Sequence, residues 1–119
     1  MSKTTVQIHV GEGIDDVAAR FLDGWNRMAR GEDVRERHVS FATWETFVGV
    51  MTPKRLALLR HVHREPARNI RALAQALGRD YRRVHEDVEA LVAAGLLERD
   101  AEGLRAEYDA FHAETLVAL

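Results

Sequence analysis

The sequence predicts an α+β fold, mainly α, on the strength of three observations. Apolar residues recur at helical spacing in five stretches between Val17 and Val92. Short alternating or turn-flanked apolar segments at residues 4–10, 38–42 and 96–108 read as strands. Glycine, proline and side chains suited to helix caps fall at the joints between them.

Val6, Ile8 and Val10 alternate with Gln7 and His9, so residues 4–10 form a half-buried strand, broken by Gly11-Glu12-Gly13. Asp15 and Asp16 suit a helix start by capping and by dipole. Val17, Phe21, Leu22, Trp25 and Met28 then share one helical face until Gly31 ends the run. Val39 and Phe41 point one way in a second short strand, able to pair with the first across the helix. Thr43 caps a short helix holding Trp44, Phe47, Val48 and Met51, and Glu45 suits its dipole. The full capping box is absent there, because Thr46 stands where it needs Glu or Gln.

Thr52-Pro53 supplies a cap and a proline at the first helical position. Leu56, Leu58, Leu59 and Val62 are the stripe of that helix, which Glu65-Pro66 stops. Asn69 caps a helix with Ile70, Leu73, Ala74 and Leu77, closed by Gly78. Asp80 caps the next, whose inward residues are Val84, Val88, Leu91 and Val92 and whose end is Gly95. Leu96 and Leu97 begin a strand, residues 100–103 turn, and residues 104–108 return. Residues 110–119 read equally as a strand or a short helix.

From Pro53 the order is helix, helix, a tight turn at Gly78-Arg79-Asp80, helix, hairpin. This is the order of a winged helix-turn-helix. The expected architecture is that motif with an N-terminal strand–helix–strand extension, assembled as a dimer. Three parts follow: residues 1–43, for dimerisation or interaction; residues 44–109, the winged helix-turn-helix DNA-binding domain; and residues 110–119, a C-terminal tail.

At 119 residues the chain suits one domain with a modest core, which a shared dimer core would extend. With 46% hydrophobic residues it is expected to fold rather than stay disordered. The absence of cysteine excludes disulfides, thiol catalysis and cysteine zinc sites. No apolar run approaches the roughly 20 residues needed to span a membrane, and MSKTTVQIHV has no signal-peptide core. A cytoplasmic protein with no membrane partner is expected.

The net charge of −2 hides a segregation. Residues 1–52 carry 6 basic and 8 acidic side chains, residues 53–85 carry 9 and 2, and residues 86–119 carry 2 and 9. Such a basic block concentrates positive potential where phosphates would bind, although arginines that merely solvate helix faces would give the same count.

The recognition helix is expected at about residues 81–94, in the major groove, with the wing at about 96–108. With Val84 at the centre of the buried face, Arg82, Glu86 and Glu89 lie nearly opposite and Arg83 flanks them. Arg79 sits in the turn before. Arginine there suits guanine edges and phosphates, and the helix N-terminus adds positive potential. The competing reading pairs Arg82 and Arg83 with Glu86 on an ordinary surface. Tyr81 suits core packing or a phosphate contact, and His85 a structural role or a phosphate contact. Arg68 and Arg71 stand at the start of the preceding helix, where the DNA backbone would pass; Lys54 and Arg55 are weaker candidates. Arg99 and Arg105 bracket an acidic turn, and a wing contact would fall to them. The DNA-binding set is therefore Arg68, Arg71, Arg79, Tyr81, Arg82, Arg83, His85, Glu86, Arg99 and Arg105.

No catalytic constellation appears, so an enzyme is not expected. His61 and His63 do not share a helix face, and His85 with Glu89 is more often a surface pair than a metal site. There is no zinc-protease motif, phosphate-binding glycine loop or nucleophile elbow, and no cofactor or metal is expected. Trp25, Trp44, Phe21, Phe41 and Phe47 suit a ligand pocket or, better, a core or dimer interface.

The segments TPKRLALLRHV and IRALAQALGRDYRRVHEDVEALVAAGLLERD, with HVSFATWETF and YDAFHAE, resemble a family of small prokaryotic predicted transcriptional regulators with a MarR-like winged helix. The resemblance implies a winged-helix fold, sequence-specific binding to double-stranded DNA, a homodimer and no cofactor. It also implies an antitoxin-like, autoregulating role beside a toxin gene. The cysteines of ArsR-type metal sensors are missing, as is the many-helix dimerisation region of full MarR proteins. The expected function is a repressor-like transcriptional regulator. The alternative is an antitoxin or interaction module that neutralises a partner through its N-terminal or acidic C-terminal segment.

Overall fold

The structure, a computed structural model, describes residues 4–11, 13–32, 37–115, 117 and 119. Among them lie five helices and five strands in an α+β arrangement, with roughly half of the chain helical. The order is β1 (Thr5–Val10), α1 (Ile14–Ala29), β2 (Arg37–Phe41), α2 (Trp44–Val50), α3 (Pro53–Arg64), α4 (Ile70–Leu77), α5 (Tyr81–Ala93), β3 (Glu98–Asp100), β4 (Gly103–Arg105) and β5 (Ala110–Glu114). No helix of the described residues is long and apolar enough to cross a membrane.

Helix starts follow the capping chemistry. The Thr43, Thr52, Asn69 and Asp80 side chains accept from the backbone N–H groups of Thr46, Arg55, Ala72 and Arg83, at 3.1, 3.2, 2.8 and 3.2 Å. In α1 the acidic residues act differently from a simple cap. Gly13 is the N-cap, and Asp16 reaches back to accept from its N–H at 3.1 Å.

β1 lies in the middle of a three-stranded sheet in the order β2-β1-β5, parallel to both neighbours. Parallel strands need a crossover. Helix α1 connects β1 to β2, as the spacing suggested. The whole α2–β4 segment lies between β2 and β5. Within residues 110–119, ambiguous in sequence, Ala110–Glu114 is a strand in register with β1, Val6 opposite Phe111. Val6, Ile8, Val10, Val39 and Phe41 form the buried face of this sheet and join one core with Leu58, Val62, Leu73, Val84, Val88, Leu91 and Leu104. Three residues fasten the sheet side to the chain that follows α5. Arg37 bonds to Glu98 and, at 2.6 Å, to the Gly95 carbonyl; Val39 packs beside Gly95; and the Tyr108 hydroxyl donates to the Leu96 carbonyl at 2.8 Å.

The hairpin is shorter than its pattern suggests. Leu96 and Leu97 are buried but precede the strand, because the Leu96 N–H still bonds back to Leu91 across Gly95, whose φ is 83°. β3 pairs antiparallel with β4 from Glu98–Arg105 to Asp100–Gly103, and the return strand ends at Arg105. Ala67, in the connection between α3 and α4, exchanges two backbone bonds with Leu104, at 2.7 and 3.1 Å. This approach requires Gly103. Its φ is 131°, and a Cβ there would run into the Ala67 carbonyl.

Candidate nucleic-acid interface

Gly78 closes α4 in the left-handed conformation, φ 64°, and the Arg79 N–H bonds back to Ala74 at 3.0 Å. The chain then turns through Arg79 and Asp80 into α5. Val84, Val88 and Leu91 are buried, Val92 is half-buried, and Arg82, Arg83, Glu86 and Glu89 are exposed. The helical-wheel placement of these residues therefore matches their burial.

The first turn of α5 stands between two surface clefts. One, of about 710 Å³, is bounded by the start of α3 (Thr52 to Arg55) and by Arg79, Asp80, Arg82, Arg83, Glu86 and Asp87. The other, of about 480 Å³, is bounded by Arg71, Ala74, Gln75 and Gly78 of the α4 side and by Arg79 and Tyr81. Lys54, Arg71, Arg82 and Arg83 form no ion pair or side-chain hydrogen bond among the described residues. Four cationic side chains thus keep hydrogen-bonding capacity for something outside the chain.

Arg79 is different. Its guanidinium donates to Asp87 Oδ2 at 2.7 Å, and Arg55 Nε donates to Asp87 Oδ1 at 2.9 Å. All three side chains are less than one-fifth exposed. Arg55 also donates to the Gly49 and Val50 carbonyls, at 3.0 and 3.1 Å. Asp87 therefore ties α5 to the turn before it, to α3 and, through Arg55, to the end of α2. Sequence reasoning missed Asp87, although a signal existed. Asp87 lies about 60° from Val84 around the helix, so its carboxylate borders the core and needs a partner.

The hairpin arginines are held by carboxylates. Arg105 lies within 4 Å of Glu98, Asp100, Glu102 and Glu107. The Arg105 hydrogen bond, with the Glu102 backbone N–H, holds the Asp100 carboxyl below its ordinary value, and the bond to Asp100 raises the Arg105 guanidinium above its own. Arg99 donates to Glu89 of α5 at 2.5 Å. Arg99 and Arg68 face a common groove between the hairpin and the start of α4. Arg68 itself precedes the N-cap Asn69 and so stands just outside the helix.

Tyr81 is 49% exposed, its ring 5.9 Å from that of His85, so it is not a core residue. His85 is 3.8 Å from Glu89. The sequence-derived set thus divides. Arg71, Tyr81, Arg82, Arg83 and Glu86 gather around the first turns of α5, and Lys54 joins them from α3. Arg68 and Arg99 lie by the hairpin, while Arg79 and Arg105 are engaged within the chain.

Residues 50–113 match the model of the HVO_A0114 family, and the chain belongs to that family. The matched segment runs from the last residue of α2 into β5 and includes both clefts and the hairpin. No curated protein and no solved structure matches the chain.

Proposed function

We propose that the protein is a MarR-like winged helix-turn-helix regulator of transcription that binds double-stranded DNA sequence-specifically, with α5 in the major groove and the β3–β4 hairpin as its wing. One observation carries the reading. The first turn of α5 projects Arg82 and Arg83, unpaired, between two clefts, and Lys54 and Arg71 face the same clefts. Free guanidinium groups at a helix N-terminus suit guanine edges and phosphates. The bond pair between Ala67 and Leu104 adds support, since it sets the hairpin beside the start of α4, where a wing belongs. On this reading Arg82 and Arg83 contact bases, Lys54, Arg68 and Arg71 contact phosphates, and Arg79 and Arg105 stay within the protein. Two copies on an inverted repeat would place half-sites about one helical turn, roughly 10 base pairs, or a small multiple apart.

The alternative, an interaction module that covers a basic partner with acidic residues 86–119, has less support. Six of the nine carboxylates in that segment face an arginine of the same chain.

Fluorescence anisotropy with a duplex from the protein's own promoter, in excess non-specific competitor, tests the proposal. Saturable binding is expected, with log Kd rising with log salt by roughly 0.9 for each phosphate neutralised. No binding above competitor, or a flat salt response, contradicts it.

A further inference from the structure

Three carboxylates border the larger cleft beside α5, those of Asp80, Glu86 and Asp87. The fold already uses two of them. Asp80 caps α5 by accepting from the Arg83 N–H, and Asp87 accepts from Arg55 and Arg79. Glu89, one turn further along the helix, bonds to Arg99. Glu86 is exposed and has no hydrogen bond or ion pair among the described residues, although Arg82 stands one turn before it and is itself unpaired. The basic face thus carries one free carboxylate among its free arginines.

We propose that Glu86 selects cytosine, its carboxylate accepting from the exocyclic amino group of that base within about two base pairs of the guanine that Arg82 reads. The inference rests on the reading of α5 as the element in the major groove. Arg82 and Glu86 each lie about 160° from the buried Val84, on either side, so a groove that meets the outer face of α5 meets both. A phosphate cannot be the partner of Glu86, because both are anions. A carboxylate carried into the groove without a donor also loses its hydration for nothing. The donors on base edges there are the amino groups of cytosine, N4, and adenine, N6. In adenine the amino group adjoins N7, whose lone pair repels a carboxylate oxygen; in cytosine it adjoins a C–H. Cytosine is therefore the better partner. Four residues of helix advance about 6 Å, less than two base-pair steps of about 3.4 Å, which sets the spacing from the guanine.

The same carboxylate acts against other sequences. With guanine, thymine or adenine in that place it meets an acceptor, O6, O4 or N7, and adds repulsion instead of a bond. Asp87 cannot do this, since its charge is engaged by two arginines. Glu86 thereby sharpens a discrimination that free arginines, attracted to any phosphate, would blur.

Selection from a randomised duplex library, with the full chain, tests this separately from the proposed function. The wild type is expected to enrich a cytosine within about two base pairs of an enriched guanine. Glu86→Gln should replace that cytosine by adenine, which a Gln amide pairs through N6 and N7, and leave the other positions as they are. In anisotropy on the enriched duplex, changing the cytosine–guanine pair should weaken wild-type binding about tenfold or more, and Glu86→Ala binding by less than about threefold. Glu86→Ala should also bind a non-enriched duplex more tightly than the wild type does. Glu86 is exposed, so both variants should keep the wild-type thermal transition. If the wild type enriches no sequence, the proposed function and this inference fall together. A site enriched without that cytosine, or one that Glu86→Gln leaves unchanged or alters at the guanine instead, overturns the role of Glu86 alone and leaves α5 as the reading element.

Discussion

The first turn of α5 and the β3–β4 hairpin both carry arginines, and they hold them in opposite ways. Arg82 and Arg83 project between two clefts with no partner among the described residues, whereas Arg105 is surrounded by four carboxylates and Arg99 bonds to Glu89. The difference shows that counting basic residues locates positive charge but not available charge. What a guanidinium can do for a ligand depends on whether the fold has already given it an anion. The same contrast occurs beside α5 itself, where Arg79 is engaged by Asp87 and its near neighbours are free.

The largest expected loss of stability tests whether the hairpin is a fixed element. Gly103→Ala forces a side chain into φ 131° and against the Ala67 backbone, and should destabilise the fold by about 3 kcal/mol in chemical denaturation. A change near zero would mean that the hairpin does not sit tightly on the start of α4.

Asp87→Ala tests the contrast from the other side, by converting engaged arginines into free ones. It leaves Arg55 and Arg79 without their largely buried carboxylate and should cost about 2 kcal/mol. Affinity for non-specific DNA should rise at the same time, because two cations join the basic face. Lower stability without that rise would separate Arg79 from the binding surface.

A smaller effect concerns the support behind the hairpin. Burial pushes the Tyr108 phenol up from 10.0 to about 12, and its hydroxyl donates to the Leu96 carbonyl. The folded-state value lies above the unfolded one. The contribution is therefore fully present below pH 10 and is lost as pH rises from 10 towards 12. In Tyr81→Phe, where Tyr108 is the remaining tyrosine, phenolate absorbance should appear near pH 12 together with unfolding; ionisation near pH 10 in the folded protein would contradict the burial.

Local chemistry was legible in the sequence wherever it is decided within a few residues. Thr43, Thr52, Asn69 and Asp80 each cap the helix that follows, and Gly78 takes the left-handed conformation its position suggests. Helical geometry also placed Arg82 and Arg83 on the exposed face. Long-range pairings were not legible. The segment AFHAE alternates weakly, and its place beside β1 depends on a partner strand about a hundred residues earlier. Arg55 and Asp87, 32 residues apart, meet only once α3 and α5 have packed. The engagement of Arg79 and the four carboxylates around Arg105 follow from tertiary packing of this kind. For the same reason the stripe on α1 from Val17 to Met28 could be read as apolar, but not as exposed.

The most direct test of the proposed function compares Arg82→Ala/Arg83→Ala with Arg105→Ala by anisotropy on the same promoter duplex. The first should weaken specific binding by about 100-fold or more, since each arginine–base pairing is worth about 1–3 kcal/mol. The second should change affinity by less than about threefold, because that charge is already neutralised within the hairpin. Equal weakening in the two variants, or undiminished binding by the first, would contradict the assignment of α5 as the element that reads DNA.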